Sequence, residues 1–102
     1  MPLLELDLSD LAPGQLRPVD AEGEEILVCR TDEGFHAVEN RCPHVMVRLD
    51  AARLEGCILE CPLHGGRFDV RDGSPQGLPI RRRAVTYPLR ELGSGRVAIE
   101  WE

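Results

Sequence analysis

The sequence predicts an all-β domain, on three observations. Short apolar runs alternate with turn chemistry at close spacing, the pattern of successive strands. No stretch repeats apolar residues at the helical period over a useful length. The chain has 102 residues and 42% hydrophobic content, which suits a single domain over residues 1–102 with one modest core.

Each element follows from its own residues. Residues 3–8 read as an opening strand, ended by the turn signal Ala12-Pro13-Gly14. Residues 15–20 read as a second strand, closed by Ala21-Glu22-Gly23. Residues 25–30 and 35–39 flank Thr31-Asp32-Glu33-Gly34, a hairpin loop in which Gly supplies a positive φ. Residues 56–60 form a further strand. Residues 83–89 and 96–101 flank Leu92-Gly93-Ser94-Gly95, another hairpin. Pro18 and Pro88 belong at strand ends or edges, where a missing N–H does little harm. Two stretches break the strand pattern, residues 41–46 and 61–67, both rich in Cys, His, Pro and Gly, and a third loop, residues 72–79, follows shortly after. Loops carried on a rigid β scaffold are where function usually sits.

Charge and hydropathy exclude several classes. The formal net charge is −6, which argues against nonspecific nucleic-acid binding. Residues 1–40 hold ten acids and two arginines, a net of −8; residues 41–102 hold eight acids and ten arginines, a net of +2. The asymmetry gives one face a different electrostatic character from the other. All twelve basic residues are Arg, which is read as genomic composition. The longest clean apolar run is Ile26-Leu27-Val28-Cys29, far short of the roughly 20 residues of a membrane span. Met1-Pro2-Leu3-Leu4-Glu5 places no basic region before an apolar stretch, so no signal peptide is read there. The expectation is a soluble, cytoplasmic protein.

The chemistry concentrates in two pairs. Cys42-Pro43-His44 and Cys61-Pro62-Leu63-His64 give C-x-H, sixteen intervening residues, then C-x-x-H. Each half holds a soft thiolate and a borderline imidazole that a tight loop can aim at one centre. The remaining two cysteines, Cys29 and Cys57, lie in apolar strand segments and read as plain buried thiols. His36 lies in an alternating strand and reads as a surface or edge residue. A reducing compartment disfavours a disulfide among the four. Two kinds of site use two Cys and two His. One is a structural zinc; the other is a two-iron, two-sulfide cluster with both Cys on one iron and both His on the other. Zinc sites usually pair like with like, whereas each half here is mixed, which suits the binuclear centre.

Cys42-Pro43-His44 and Cys61-Pro62-Leu63-His64-Gly65-Gly66-Arg67-Phe68-Asp69 resemble the cluster-binding boxes of Rieske iron–sulfur proteins. The resemblance continues through Val70-Arg71-Asp72-Gly73 and through Gly77-Leu78-Pro79, which looks like the family's proline loop. It implies a fold of stacked antiparallel sheets with a cluster-binding subdomain at one tip. It implies one [2Fe-2S] cluster, held by Cys42 and Cys61 on one iron and by His44 and His64, near the surface, on the other. With two ferric ions, two sulfides and two thiolates, such a site is neutral when oxidised and −1 when reduced.

Departures from the pattern narrow the type. High-potential members carry an extra Cys in each box, joined as a disulfide; the matching positions here are Met46 and Leu63. Those members also carry a Ser and a Tyr that donate to the cluster sulfurs; the matching positions here are Gly66 and Phe68. Donors to sulfur stabilise the reduced cluster, so their loss implies a potential near the low end of the Rieske range, roughly −150 mV. A terminal oxygenase also needs two His and a carboxylate for a mononuclear iron, and only His36 remains. Gly93-Ser94-Gly95-Arg96-Val97-Ala98 has no room for the helix of a nucleotide-binding turn. The resemblance therefore implies an electron carrier, not an enzyme: a monomeric, low-potential Rieske ferredoxin of aromatic hydrocarbon catabolism. Its partners are a flavin-dependent ferredoxin reductase and a terminal ring-hydroxylating dioxygenase component, with neither nucleic acid nor membrane. Two alternatives stand beside it, the small Rieske-type subunit of an assimilatory nitrite reductase and a structural zinc-binding module. Arg81-Arg82-Arg83, after the proline loop, reads either as a solvated strand edge or as a basic patch for an acidic partner.

Overall fold

The run Ile26-Leu27-Val28-Cys29 shows why the chain folds as it does. Alternation would bury two of these residues; all four are 0% exposed. Their strand therefore has apolar matter on both faces. Ile26 and Val28 point into one cluster, with Leu8, Leu11, Phe35, Val97 and Ile99. Leu27 and Cys29 point into another, with Val38, Leu49, Leu59, Phe68, Val70 and the two cysteines Cys42 and Cys61. One strand is the wall between two cores.

The computed structural model describes residues 3–44, 47–63 and 65–101, and among these it contains strands and turns but no helix. The strands are β1 (Leu3–Asp7), β2 (Leu16–Ala21), β3 (Glu24–Thr31), β4 (Gly34–Glu39) and β5 (Arg53–Glu55). They continue with β6 (Ile58–Glu60), β7 (Arg67–Asp69), β8 (Thr86–Tyr87), β9 (Leu89–Gly93) and β10 (Arg96–Glu100). All pairings are antiparallel, in three sheets ordered β1-β10-β9, β2-β3-β4-β8 and β5-β6-β7. The first two sheets enclose the cluster around Ile26 and Val28. The small third sheet lies on the other side of β3 and carries the second Cys–His loop between β6 and β7.

The expected hairpins form. Asp32 and Glu33 make the turn between β3 and β4, with Gly34 at φ 133°. Pro18 sits on β2, an edge strand, as a residue without a ladder donor must. Two expectations need correction. The stretch 83–89 is not one strand: Thr86–Tyr87 pairs with β4, Leu89–Gly93 pairs with β10, and Pro88 marks the crossing between sheets. Strands β5 and β7 add to the expected elements, because three residues are too few to show alternation in the sequence. Cys57 lies in the β5–β6 turn, half-buried, not inside a strand.

The energetics rest on the shared wall and its two clusters. Leu59 is fully buried beside the cysteines, whereas Leu3 is 58% exposed. Leu59→Ala is expected to cost about 2–5 kcal/mol, and Leu3→Ala less than about 0.5 kcal/mol. Urea denaturation of the two variants checks this; equal midpoints would contradict the assignment of Leu59 to the core.

Candidate metal centre

Two loops well separated in sequence are closed by the same device. The Cys42 N–H donates to the Val47 carbonyl at 2.9 Å, and the Cys61 N–H donates to the Gly66 carbonyl at 2.6 Å. Each cysteine thus bonds the residue five positions on, and each is followed by a proline, which fixes φ and brings no competing N–H. The second loop is also a hairpin loop, pinned by the Glu60–Arg67 pair of β6 and β7. The result is that Cys42 and Cys61 are each 1% exposed and their thiols share a hydrogen bond. Both are free thiols.

The electrostatics of this pair are unfavourable to charge. Burial, then the neighbouring Cys42 thiol, pushes the Cys61 thiol up to about 11. The Leu63 N–H, which bonds the Cys61 sulfur, acts in the opposite direction. Two thiolates cannot sit side by side in this apolar surrounding unless a cation lies between them. Soft sulfur donors suit iron in an iron–sulfur group, or zinc. The residues fit the cluster on a second count: a backbone N–H is already aimed at sulfur, the kind of donor that tunes such a group.

The imidazoles stand further out. His44 is half-buried and lines a groove of about 550 Å³ with Pro43, Leu78, Pro79, Arg81 and Arg82. His64 lies outside the described residues, as do Val45 and Met46 of the first loop. Of the four expected ligands, then, the structure brings Cys42 and Cys61 together and puts His44 on the groove wall. The third loop closes over this end. Gln76 N–H donates to the Arg67 carbonyl and Asp69 N–H to the Ser74 carbonyl, so residues 74–76 run alongside β7. Ile80 then packs on the backbone of Gly66, where an added Cβ would lie 2.8 Å from Ile80 Cγ1. Gly66 is therefore the residue that lets the third loop lie against the second. The Leu78–Pro79 peptide is cis. Phe68 is 0% exposed and part of the cysteine cluster.

The sequence model of the Rieske [2Fe-2S] domain matches residues 2–88. The chain belongs to the Rieske [2Fe-2S] family. It is 37% identical over 83 residues to the ferredoxin component of a naphthalene 1,2-dioxygenase system from Pseudomonas putida, covering 81% of this chain and 80% of that one. Among solved structures it is similar to the ferredoxin in a complex of reduced oxygenase and oxidised ferredoxin of carbazole 1,9a-dioxygenase. The TM-score is 0.87, with 31% identity over 95% of this chain and 100% of that one. A putative NADH-dependent nitrite reductase small subunit from Mycobacterium tuberculosis has a TM-score of 0.81 but only 24% identity, over 96% and 93% of the two chains, which shows the fold alone. The [2Fe-2S] family sets the structural-zinc reading aside.

Sequence reasoning missed the residues that hold the Rieske loops in place. Asn40 is 1% exposed just before Cys42. Its carbonyl oxygen accepts the Leu49 N–H at 2.7 Å, its side-chain amide donates to Asp50, and its own N–H donates to the Glu25 carbonyl at 3.0 Å. Asp50 in turn pairs with Arg48 at 3.1 Å, and Arg48 with Glu25 at 2.6 Å. One buried amide thus ties both ends of the first loop to β3. An isolated Asn gives no such signal; only its position before the box hinted at it. Arg82 Nε donates to the Pro43 carbonyl at 3.3 Å, and Arg83 to the Asp72 carbonyl at 3.0 Å, so neither is simply a solvated strand edge. His36 also departs from expectation. It is half-buried on the interior strand β4, and its Nε2 is buried with no hydrogen-bond partner. Burial holds its pKa below the usual value. Cys29, fully buried, is pushed up to about 12 and is inert as a thiol.

Asn40→Leu leaves the Leu49 N–H without its acceptor and is expected to cost about 1–3 kcal/mol. Its visible absorbance should also fade faster under a chelator; unchanged urea midpoint and fading rate would contradict the assignment. The Asp50 carboxyl is held below its usual range, chiefly by the Asn40 amide and then by Arg48. A depressed carboxyl contributes stability that is present above its unfolded pKa, about 3.9, and lost as pH falls through the folded value. The gap in urea midpoint between the natural protein and Asp50→Asn should therefore narrow as pH is lowered below about 4.

Proposed function

We propose that this chain is a soluble, cytoplasmic, low-potential Rieske ferredoxin. It passes single electrons from a flavin-dependent reductase to a terminal ring-hydroxylating oxygenase. The observation that carries the reading is the buried, mutually bonded pair Cys42 and Cys61, each at the start of a loop closed in the same way. The relatives named above support it, being ferredoxin components of aromatic-ring dioxygenase systems, one of them seen with its oxygenase. A nitrite reductase subunit has weaker support, because that likeness is one of fold. No helix among the described residues is long and apolar enough to cross a membrane.

When bound, the cluster supplies a one-electron couple. The chain's residues do the rest. Cys42 and Cys61 would hold one iron in an apolar surrounding, and His44 and His64 would hold the other. The Leu63 N–H donates to the Cys61 sulfur and favours the more negative, reduced state. Gly66 and Phe68 offer no hydroxyl, so that stabilisation stays small and the potential low. Pro43, Leu78 and Pro79 line the groove beside His44 and offer an apolar wall against which a partner can come close. The lone histidine left over, His36, sits on β4 and takes no part.

Anaerobic reductive titration of the purified protein, followed by visible absorption, tests the reading. A coloured protein that takes up one electron near the low end of the family's range, roughly −150 mV, is expected. His44→Ala and His64→Ala should each abolish the colour of the mixed-ligand centre. A colourless, redox-silent protein with full metal occupancy would overturn the proposal.

A further inference from the structure

The charges of this chain are segregated around the centre. Residues 41–46, 61–67 and 72–83, the three loops at the cluster end with the arginine run that follows the third, contain five arginines and one acid, Asp72. The rest of the chain holds the other seven arginines and seventeen of the eighteen carboxylates, a net of −10. A protein that is acidic overall is therefore basic at the one end through which electrons must pass. Arg41, Arg67, Arg81, Arg82 and Arg83 are all exposed.

The surroundings of these arginines leave most of that charge uncompensated. Arg67 faces the Glu60 carboxylate at 4.0 Å, so it is partly offset. Arg82 and Arg83 each donate to a backbone carbonyl, which fixes the side chain without cancelling its charge; Arg83 is partly offset by the Asp72 carboxylate, with which it interacts. The groove beside His44 is lined by Arg81 and Arg82 with no carboxylate. A second groove, of about 230 Å³, shares Pro43 and Arg82 with the first and adds Arg41, Arg83 and Val85; its one acid is Glu39. Apolar side chains stand among the charges: Leu78 is 74% exposed, Val85 51% and Leu63 44%. Exposed Leu and Val ringed by arginine have the composition of a docking face, with an apolar centre and a charged rim.

Resting on the electron-carrier reading above, we propose that the redox partner docks on this end through a face of protein carboxylates set around an apolar recess. The acidic body, with its net of −10, repels such a partner and the arginine end attracts it, so the approach itself orients the centre toward the partner. At physiological ionic strength the Debye length is about 8 Å. Near contact, the arginines around His44 therefore outweigh the carboxylates on the far sheets.

Small redox probes of opposite charge test this on the whole, cluster-loaded protein. Tris(oxalato)cobaltate(III) is a carboxylate-bearing trianion; hexaammineruthenium(III) is a trication. Each removes one electron from the reduced protein, Co(III) becoming Co(II) and Ru(III) becoming Ru(II). Stopped-flow rates are measured from about 0.01 to 0.1 M salt, over which the Debye length falls from roughly 30 to 10 Å. The oxalato anion is expected to react several-fold more slowly at the higher salt, and the ruthenium cation no more slowly than at the lower. Arg41→Glu with Arg81→Glu should reverse the anion's salt dependence while leaving the visible spectrum intact. Arg96→Glu, on β10 and paired with Glu5, should leave it unchanged. An anion rate that rises with salt, as the net charge dictates, overturns the proposal alone. A protein that accepts no electron overturns the electron-carrier reading as well.

Discussion

Two thiols in contact inside an apolar core can both ionise only if a cation is bound between them. Cys42 and Cys61 are almost without solvent, and burial, then the neighbouring Cys42 thiol, raises the cost of ionising Cys61. A domain evolved for stability alone gains nothing from such a pair. Most of the remaining structure is arranged to make it possible. The loops close through backbone bonds at the cysteines themselves, a buried amide anchors the first loop, and the third loop lies against the second at Gly66.

The double burial of β3 explains how a small chain supports this arrangement. Ile26 and Val28 serve a core between two sheets that contains none of the box cysteines. Leu27 and Cys29 serve the core that contains Cys42 and Cys61. The first core supplies rigidity independent of the centre, and the second transmits that rigidity to the loops. The same segregation recurs in charge. The rest of the chain carries seventeen of the eighteen carboxylates, and the loops at the cluster end carry five arginines against the single acid Asp72.

How much was legible in the sequence follows from the range of each interaction. The β hairpins could be read because alternation and turn residues are local; so could the boxes, because their spacing is local. The family resemblance carried the fold further than periodicity did, since β5 and β7 are too short to show a pattern. The role of Asn40 could not be read, because its partners are Leu49, Asp50 and Glu25, which only folding brings together. Pro88 was visible as a strand end, but not as the crossing between two sheets. The clamp of Arg82 on Pro43 spans 39 positions, and nothing in a run of three arginines distinguishes it. His36 was misread because alternation places a residue on a face without saying what covers that face.

In the proposed arrangement one iron is held by the thiolates of Cys42 and Cys61 and the other by His44 and His64. Pulsed electron paramagnetic resonance of the reduced protein, prepared with ¹⁵N-labelled histidine, addresses it most directly. Couplings from two imidazole nitrogens are predicted, with one lost on replacement of either His44 or His64. A reduced cluster with no histidine nitrogen coupling would mean that the donors are cysteine alone, and would contradict the account.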